Sequence, residues 1–104
     1  MNTFTYIQGT TYLGMTITMR VNGVPLDLTN ATITATFENS SNAKKVLTAG
    51  RGITDIDASN GSFKLLENTV VNWEKGTWVL TVTTLLNTGD IKKYIYKNVE
   101  FVII

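Results

Sequence analysis

The chain has no histidine and no cysteine. That absence excludes Ser-His-Asp and Cys-His nucleophilic arrangements, His/Cys zinc sites, disulfides and thiol redox chemistry. Charge is scarce too: Asp, Glu, Lys and Arg make up 16% of 104 residues, against about 25% in an ordinary soluble domain. The formal net charge is +1, so no global field draws the chain to nucleic acid or to a membrane. No apolar run approaches the ~20 residues that span a bilayer. Met1-Asn2-Thr3-Phe4 lacks the basic start and apolar run of a secretion signal. Carboxylate pairs and lysine nucleophiles are the catalytic chemistry left, and the close pair Asp55 and Asp57 falls in a turn. The expectation is a protein that is not an enzyme and that holds no cofactor and no metal.

What is present is β-structure. The length suits one domain, residues 1–104, with a core that needs no disulfide. Threonine supplies much of the polarity, at Thr16, Thr18, Thr32, Thr34, Thr36, Thr81 and Thr83, and a β-branched residue packs well on a pleated face. Leu13, Met15, Ile17, Met19 and Val21 alternate with polar or small residues, which predicts one strand over 13–21 with a single buried face. Asn22-Gly23 then tolerates positive φ at both central positions of a tight hairpin. Pro25, the one proline, belongs at a strand edge or turn.

Ala31 to Glu38 alternates again, with Ala31, Ile33, Ala35 and Phe37 on the inner face. The small alanines suggest a large residue packed opposite, with Trp78 the candidate. Lys44 to Thr48 reads as a strand paired with it. Ile53 to Ile56 and Ser62 to Leu66 read as a hairpin around Asp57-Ala58-Ser59-Asn60-Gly61. Residues 67–74 are the one stretch unlike a strand, and predict a short helical turn that Gly76 ends. Thr77 to Leu85 predicts a central strand with Trp78, Leu80 and Val82 inward. Asn87-Thr88-Gly89-Asp90 is a hairpin loop in which Gly89 supplies positive φ. Ile91 to Tyr96 returns, and Val99 to Ile104 closes the domain, with Phe4 to Ile7 and Val99 to Ile104 as candidate sheet edges. The class is all-β, an immunoglobulin-like antiparallel β-sandwich without its disulfide.

Four groups of residues suggest chemistry. Asp55, Asp57, Ser59 and Asn60 begin like a calcium loop, but its sixth position would be Asn60 rather than glycine and its twelfth Leu66 rather than glutamate. A turn held by Asx side chains bonding the local backbone is the simpler reading. Lys92, Lys93 and Lys97 flank Tyr94 and Tyr96, a pattern compatible with stacking on single-stranded nucleic acid. In a strand the tyrosines share one face and Lys93, Ile95 and Lys97 the other, so a lysine-guarded edge is expected instead, without nucleic acid and without a membrane. Trp73, Tyr94 and Tyr96 are candidates for glycan or partner contact, with Trp73 otherwise a structural lid. Asn30, Asn39 and Asn60 head glycosylation sequons that are coincidental in a Thr/Asn-rich chain with no secretion signal.

Three phrases carry a family resemblance: Asn22-Gly23-Val24-Pro25-Leu26-Asp27-Leu28-Thr29 with Ala31, Gly52-Ile53 with Asp57 and Gly61, and Gly76-Thr77-Trp78. Together with Gly89 they resemble the small Ig-like β-sandwich domains of tailed-phage and prophage virion proteins, over roughly residues 10–104. These include the N-terminal domain of upper baseplate proteins and tail-fibre or decoration domains. The resemblance implies a virion protein made in the bacterial host cytoplasm. It would act through contacts with other virion proteins as a homo-oligomer or symmetric assembly, with a host-surface glycan as a further partner. Family members often continue into a fibrous region, and none follows Ile104, so a small standalone component or a fragment is expected rather than a fibre shaft. The alternatives are a capsid decoration protein, a carbohydrate-binding Ig-like module for host adhesion, or a bacterial surface Ig domain.

Overall fold

Threonine alternates with Ile33, Ala35 and Phe37 along 32–38, and all three apolar side chains are buried. The same period-two logic builds the rest of the chain. The computed structural model describes residues 2–88 and 90–104. In order its strands are β1 (Asn2–Tyr6), β2 (Thr11–Tyr12), β3 (Met15–Thr18), β4 (Arg20–Val21), β5 (Val24–Pro25) and β6 (Thr32–Asn39). There follow β7 (Lys44–Ala49), β8 (Gly52–Asp57), β9 (Ser62–Leu65), β10 (Thr69–Val70), β11 (Gly76–Thr88) and β12 (Asp90–Ile103). The fold is all-β. The one helical element among the described residues is a 3-10 turn at Ala58–Asn60.

Eight strands form one sheet in the order β1-β12-β11-β6-β7-β8-β9-β3. The sheet curls so that both ends share a core. Met15, Ile17, Phe63 and Leu65 from the β3 end lie in the same buried cluster as Tyr6, Phe101 and Ile103 from the β1 end. The chain crosses between the halves at a tight corner after β7, where Thr48 and Arg51 exchange backbone hydrogen bonds of 3.1 and 2.8 Å. Small ribbons β2–β10 and β4–β5 complete the fold.

The expectation of purely antiparallel pairing is corrected here. β1 runs parallel to β12 from Asn2↔Val99 to Tyr6↔Ile103, and β7 meets β8 in parallel at Thr48↔Gly52 and Ala49↔Ile53. Turn residues report local hairpins, whereas a parallel pair joins distant or sharply redirected segments and leaves no turn signature. The same pairing places Val99 to Ile103 between β1 and β11, so that segment is interior rather than an edge, while β1 is an edge as expected.

The helical turn expected at 67–74 is absent. Cross-chain bonds claim this stretch instead: Thr69 and Val70 pair with Tyr12 and Thr11, and the Val71 N–H donates to Tyr6 Oη at 2.9 Å. Val71 is buried while its neighbour Val70 is exposed, an extended pattern rather than a helical one. The long strand expected over 13–21 is also divided. Met19 steps out of the ladder, donating to the Gly61 carbonyl and accepting from the Leu26 N–H, both at 2.8 Å. Met15, Ile17 and Met19 are buried as the alternation requires, but Leu13 stands 79% exposed before Gly14, whose φ is 106°.

Several local expectations hold, although Ala31, expected on the inner face, is half-buried and precedes β6. Asn22 and Gly23 have φ of 53° and 79° and join Val21↔Val24 in a two-residue hairpin. β8 and β9 pair antiparallel, and Gly61 caps the turn between them in the left-handed conformation. Trp78 is buried with its indole N–H on the Glu74 carbonyl at 2.9 Å, but it pairs with Asn39, and the residue opposite Ala35 is Val82. The positive φ expected of Gly89 lies outside the described residues.

One core position is poorly matched to its surroundings. Thr84 is fully buried and its hydroxyl has no hydrogen-bond partner among the described residues. Thr84→Val keeps the branched shape and removes a desolvated hydroxyl. It should stabilise the fold by about 1 kcal/mol. A higher urea midpoint at unchanged m-value is the expected reading.

Candidate functional site

The β11–β12 hairpin outruns its neighbours. Among the described residues β6 pairs with β11 as far as Thr32↔Leu85, and β1 pairs with β12 from Val99 onward. Residues 90–97 of β12 therefore have β11 on one side and, among the described residues, no strand on the other. Alternation sorts the side chains as the sequence predicts. Lys93, Ile95 and Lys97 are exposed, while Tyr94 and Tyr96 are half-buried against the core. Across the ladder Lys93 sits beside Leu85 and Ile95 beside Thr83, so neither faces an acid on β11. The placement of the Lys92 side chain lies outside the described residues.

The three aromatic candidates are not brought to one place. Tyr94 pairs with Thr84 and Tyr96 with Val82. Trp73 sits at the far end of β11, its ring centroid 5.1 Å from Phe37, 5.3 Å from Trp78 and 6.0 Å from Phe101. Its carbonyl accepts from Gln8 Nε2 at 2.8 Å, which ties the segment to the β1–β2 connection. Trp73 is thus a half-buried wall of the aromatic core.

Lys97 joins residues outside the candidate groups in a hollow on the outward face of β6, β11 and β12. Its volume is about 450 Å³, and Glu38, Thr77, Val79, Thr81 and Lys97 line it. Period two identifies which residues point outward, but not which strands adjoin. Only the register, with Val79 opposite Glu38 and Glu100, assembles the hollow.

On the other half of the sheet Lys64 bridges two carboxylates, with Nζ 3.5 Å from Asp55 and 3.5 Å from Glu67. The Glu67 charge is the main reason the Lys64 ammonium titrates above its usual range, with Asp55 adding to it. Asp55 is exposed while Lys64 and Glu67 are half-buried, and Glu67 also accepts from the Thr54 hydroxyl at 2.9 Å. In the 57–61 turn Asp57 accepts from Asn60 Nδ2 at 2.8 Å and from the Ser59 hydroxyl at 3.3 Å. These bonds run between side chains rather than to the backbone as expected. No group of three acids that could hold a metal occurs among the described residues.

Asp27 closes an Asx turn in the first phrase of the resemblance. Its carboxylate accepts from the Thr29 hydroxyl at 2.6 Å and from the Thr29 N–H at 2.9 Å, and these bonds hold its pKa below the ordinary value. A depressed folded value means that the stabilisation is complete above the unfolded pKa of about 3.9 and disappears as pH falls through the folded value. The stability difference between wild type and Asp27→Ala should therefore be constant above about pH 5 and shrink below about pH 4. Urea midpoints of the two proteins from pH 2 to 7 check this.

No protein family, curated protein or solved structure matches this chain.

Proposed function

We propose that the chain is a non-enzymatic structural component of a tailed-phage virion, an Ig-like β-sandwich that serves tail, baseplate or fibre attachment or assembly through protein–protein contacts. The observation that carries this reading is the duty each phrase of the resemblance performs in the fold. Asn22-Gly23 makes the tight turn, Asp27 and Thr29 close the Asx turn, Gly61 caps the turn before β9, and Trp78 fills the core. These positions need their residue types for structural reasons, as turn motifs of a sandwich family would. A rigid core and an unpaired strand edge also suit repeated contacts in a symmetric particle.

The test is location. Antibody raised against the isolated domain should decorate purified virions made from the encoding genome, at one kind of site, in immunogold micrographs. Particles that contain no copies of the chain, by labelling and by mass spectrometry, would overturn the reading.

A further inference from the structure

We propose that the bare edge of β12 over residues 90–97 is a docking site for an extended acidic segment of another protein, which adds to the sheet as a strand; that the partner is a virion protein rests on the reading above. The backbone argument comes first. A strand with one edge unpaired presents alternate N–H and C=O groups that only a second strand, or water, can satisfy. β1 satisfies this edge of β12 at 99–103, and among the described residues no strand satisfies it at 90–97.

Charge then selects the occupant. Lys93 and Lys97 stand exposed on the outward face with Ile95, 59% exposed, between them. A second copy pairing antiparallel about Ile95 would set Lys93 against the partner's Lys97, and like charges directly opposite destabilise a ladder. The lysines thus reject the chain's own edge while favouring a strand with acids at the two matching positions. Such a strand places a β-branched residue beside Ile95, and apolar residues beside Tyr94 and Tyr96 on the inward face, where both tyrosines already pack on the core. The recognised pattern is acid, apolar, β-branched, apolar, acid.

Two measurements test the site. The probe is a blocked peptide with glutamate at its first and fifth positions, valine at the second and fourth, and threonine at the third. In amide NMR titrations of the whole domain it should bind saturably, with shifts concentrated at residues 91–97. Binding should weaken about tenfold in K93E/K97E, which should instead prefer the same peptide carrying lysine for glutamate. The second measurement needs no peptide. K93E alone makes the edge self-complementary, so light scattering should show an assembly twice the wild-type mass, which K93E/K97E does not form. No shift at 91–97 together with an unchanged K93E mass would overturn the proposal. Virions that carry the chain alongside a failed edge test would sink the docking site alone. A positive edge test with virions that lack the chain would leave the site standing and remove the virion reading.

Discussion

Phe101→Ala should destabilise the fold by about 4 kcal/mol, the magnitude typical of emptying a fully buried phenylalanine site. Phe101 is wholly buried on β12, flanked in register by Phe4 of β1 and Trp78 of β11. Its ring centroid lies 5.3 Å from Tyr12, 5.5 Å from Phe37, 5.8 Å from Tyr6 and 6.0 Å from Trp73. These partners come from five separate stretches of chain, so no single segment can move in to fill the void. Tyr6 and Tyr12 meet edge-on at 5.4 Å, and Tyr6 Oη also donates to the Thr10 carbonyl, which holds the Tyr6 ring in place beside the lost side chain. A loss of 4 kcal/mol is a large part of the roughly 5–15 kcal/mol that holds such a domain together. The melting temperature should fall by about 15 °C or more. Urea unfolding checks the value, with Ile95→Ala as the surface control at under about 0.5 kcal/mol. A loss below about 1 kcal/mol at Phe101 would mean that the aromatic cluster does not pack as described.

Why Phe101 dominates was only half legible in the sequence. Period two put Phe101 inward with Val99 and Ile103, and all three are buried. The alternation could not say which strands would surround it, because β1 reaches β12 by a parallel pairing that joins the two ends of the chain. The same limit explains residues 67–74. Val70, Val71 and Trp73 are spaced as in a helical turn, but Tyr12 and Tyr6 capture the segment through bonds from far along the chain. Where a phrase determines its own geometry, as at Asn22-Gly23, reading it was enough. The lysine edge followed the same rule. Alternation separated Lys93 and Lys97 from Tyr94 and Tyr96, but that no strand among the described residues pairs with the outer edge of 90–97 depends on where β1 meets β12.

Gly61→Ala should destabilise the fold by about 3 kcal/mol or more. Gly61 has φ of 66° and ψ of 21°, the left-handed region. An L-residue there carries roughly 1–2 kcal/mol of strain. Strain is the smaller part. A Cβ at this position would lie 2.6 Å from the Leu26 carbonyl oxygen, 2.7 Å from the Met19 carbonyl oxygen and 3.0 Å from the Leu26 nitrogen. All three are backbone atoms, so no side chain can swing aside. Overpacking of this kind adds about 1–3 kcal/mol. The atoms that would have to move are those that hold the region together: Met19 N–H donates to Gly61 O, and Leu26 N–H donates to Met19 O. Pushing them apart separates the β4–β5 hairpin from the start of β9 and disturbs the burial of Met19 and Leu28. Gly50→Ala is the control that isolates backbone strain, because Gly50 has φ of 79° with nothing within 4 Å of a built Cβ. It should cost about 1 kcal/mol. Chemical denaturation of both variants, with amide exchange at Met19 and Leu26, separates the two contributions. Equal losses at Gly50 and Gly61 would mean that the close approach of Leu26 and Met19 to Gly61 does not exist in solution. A clearly larger loss at Gly61 than at Gly50, with faster exchange at those two amides, would locate the weak point of the fold at the junction of the Asn22-Gly23 hairpin and the 57–61 turn.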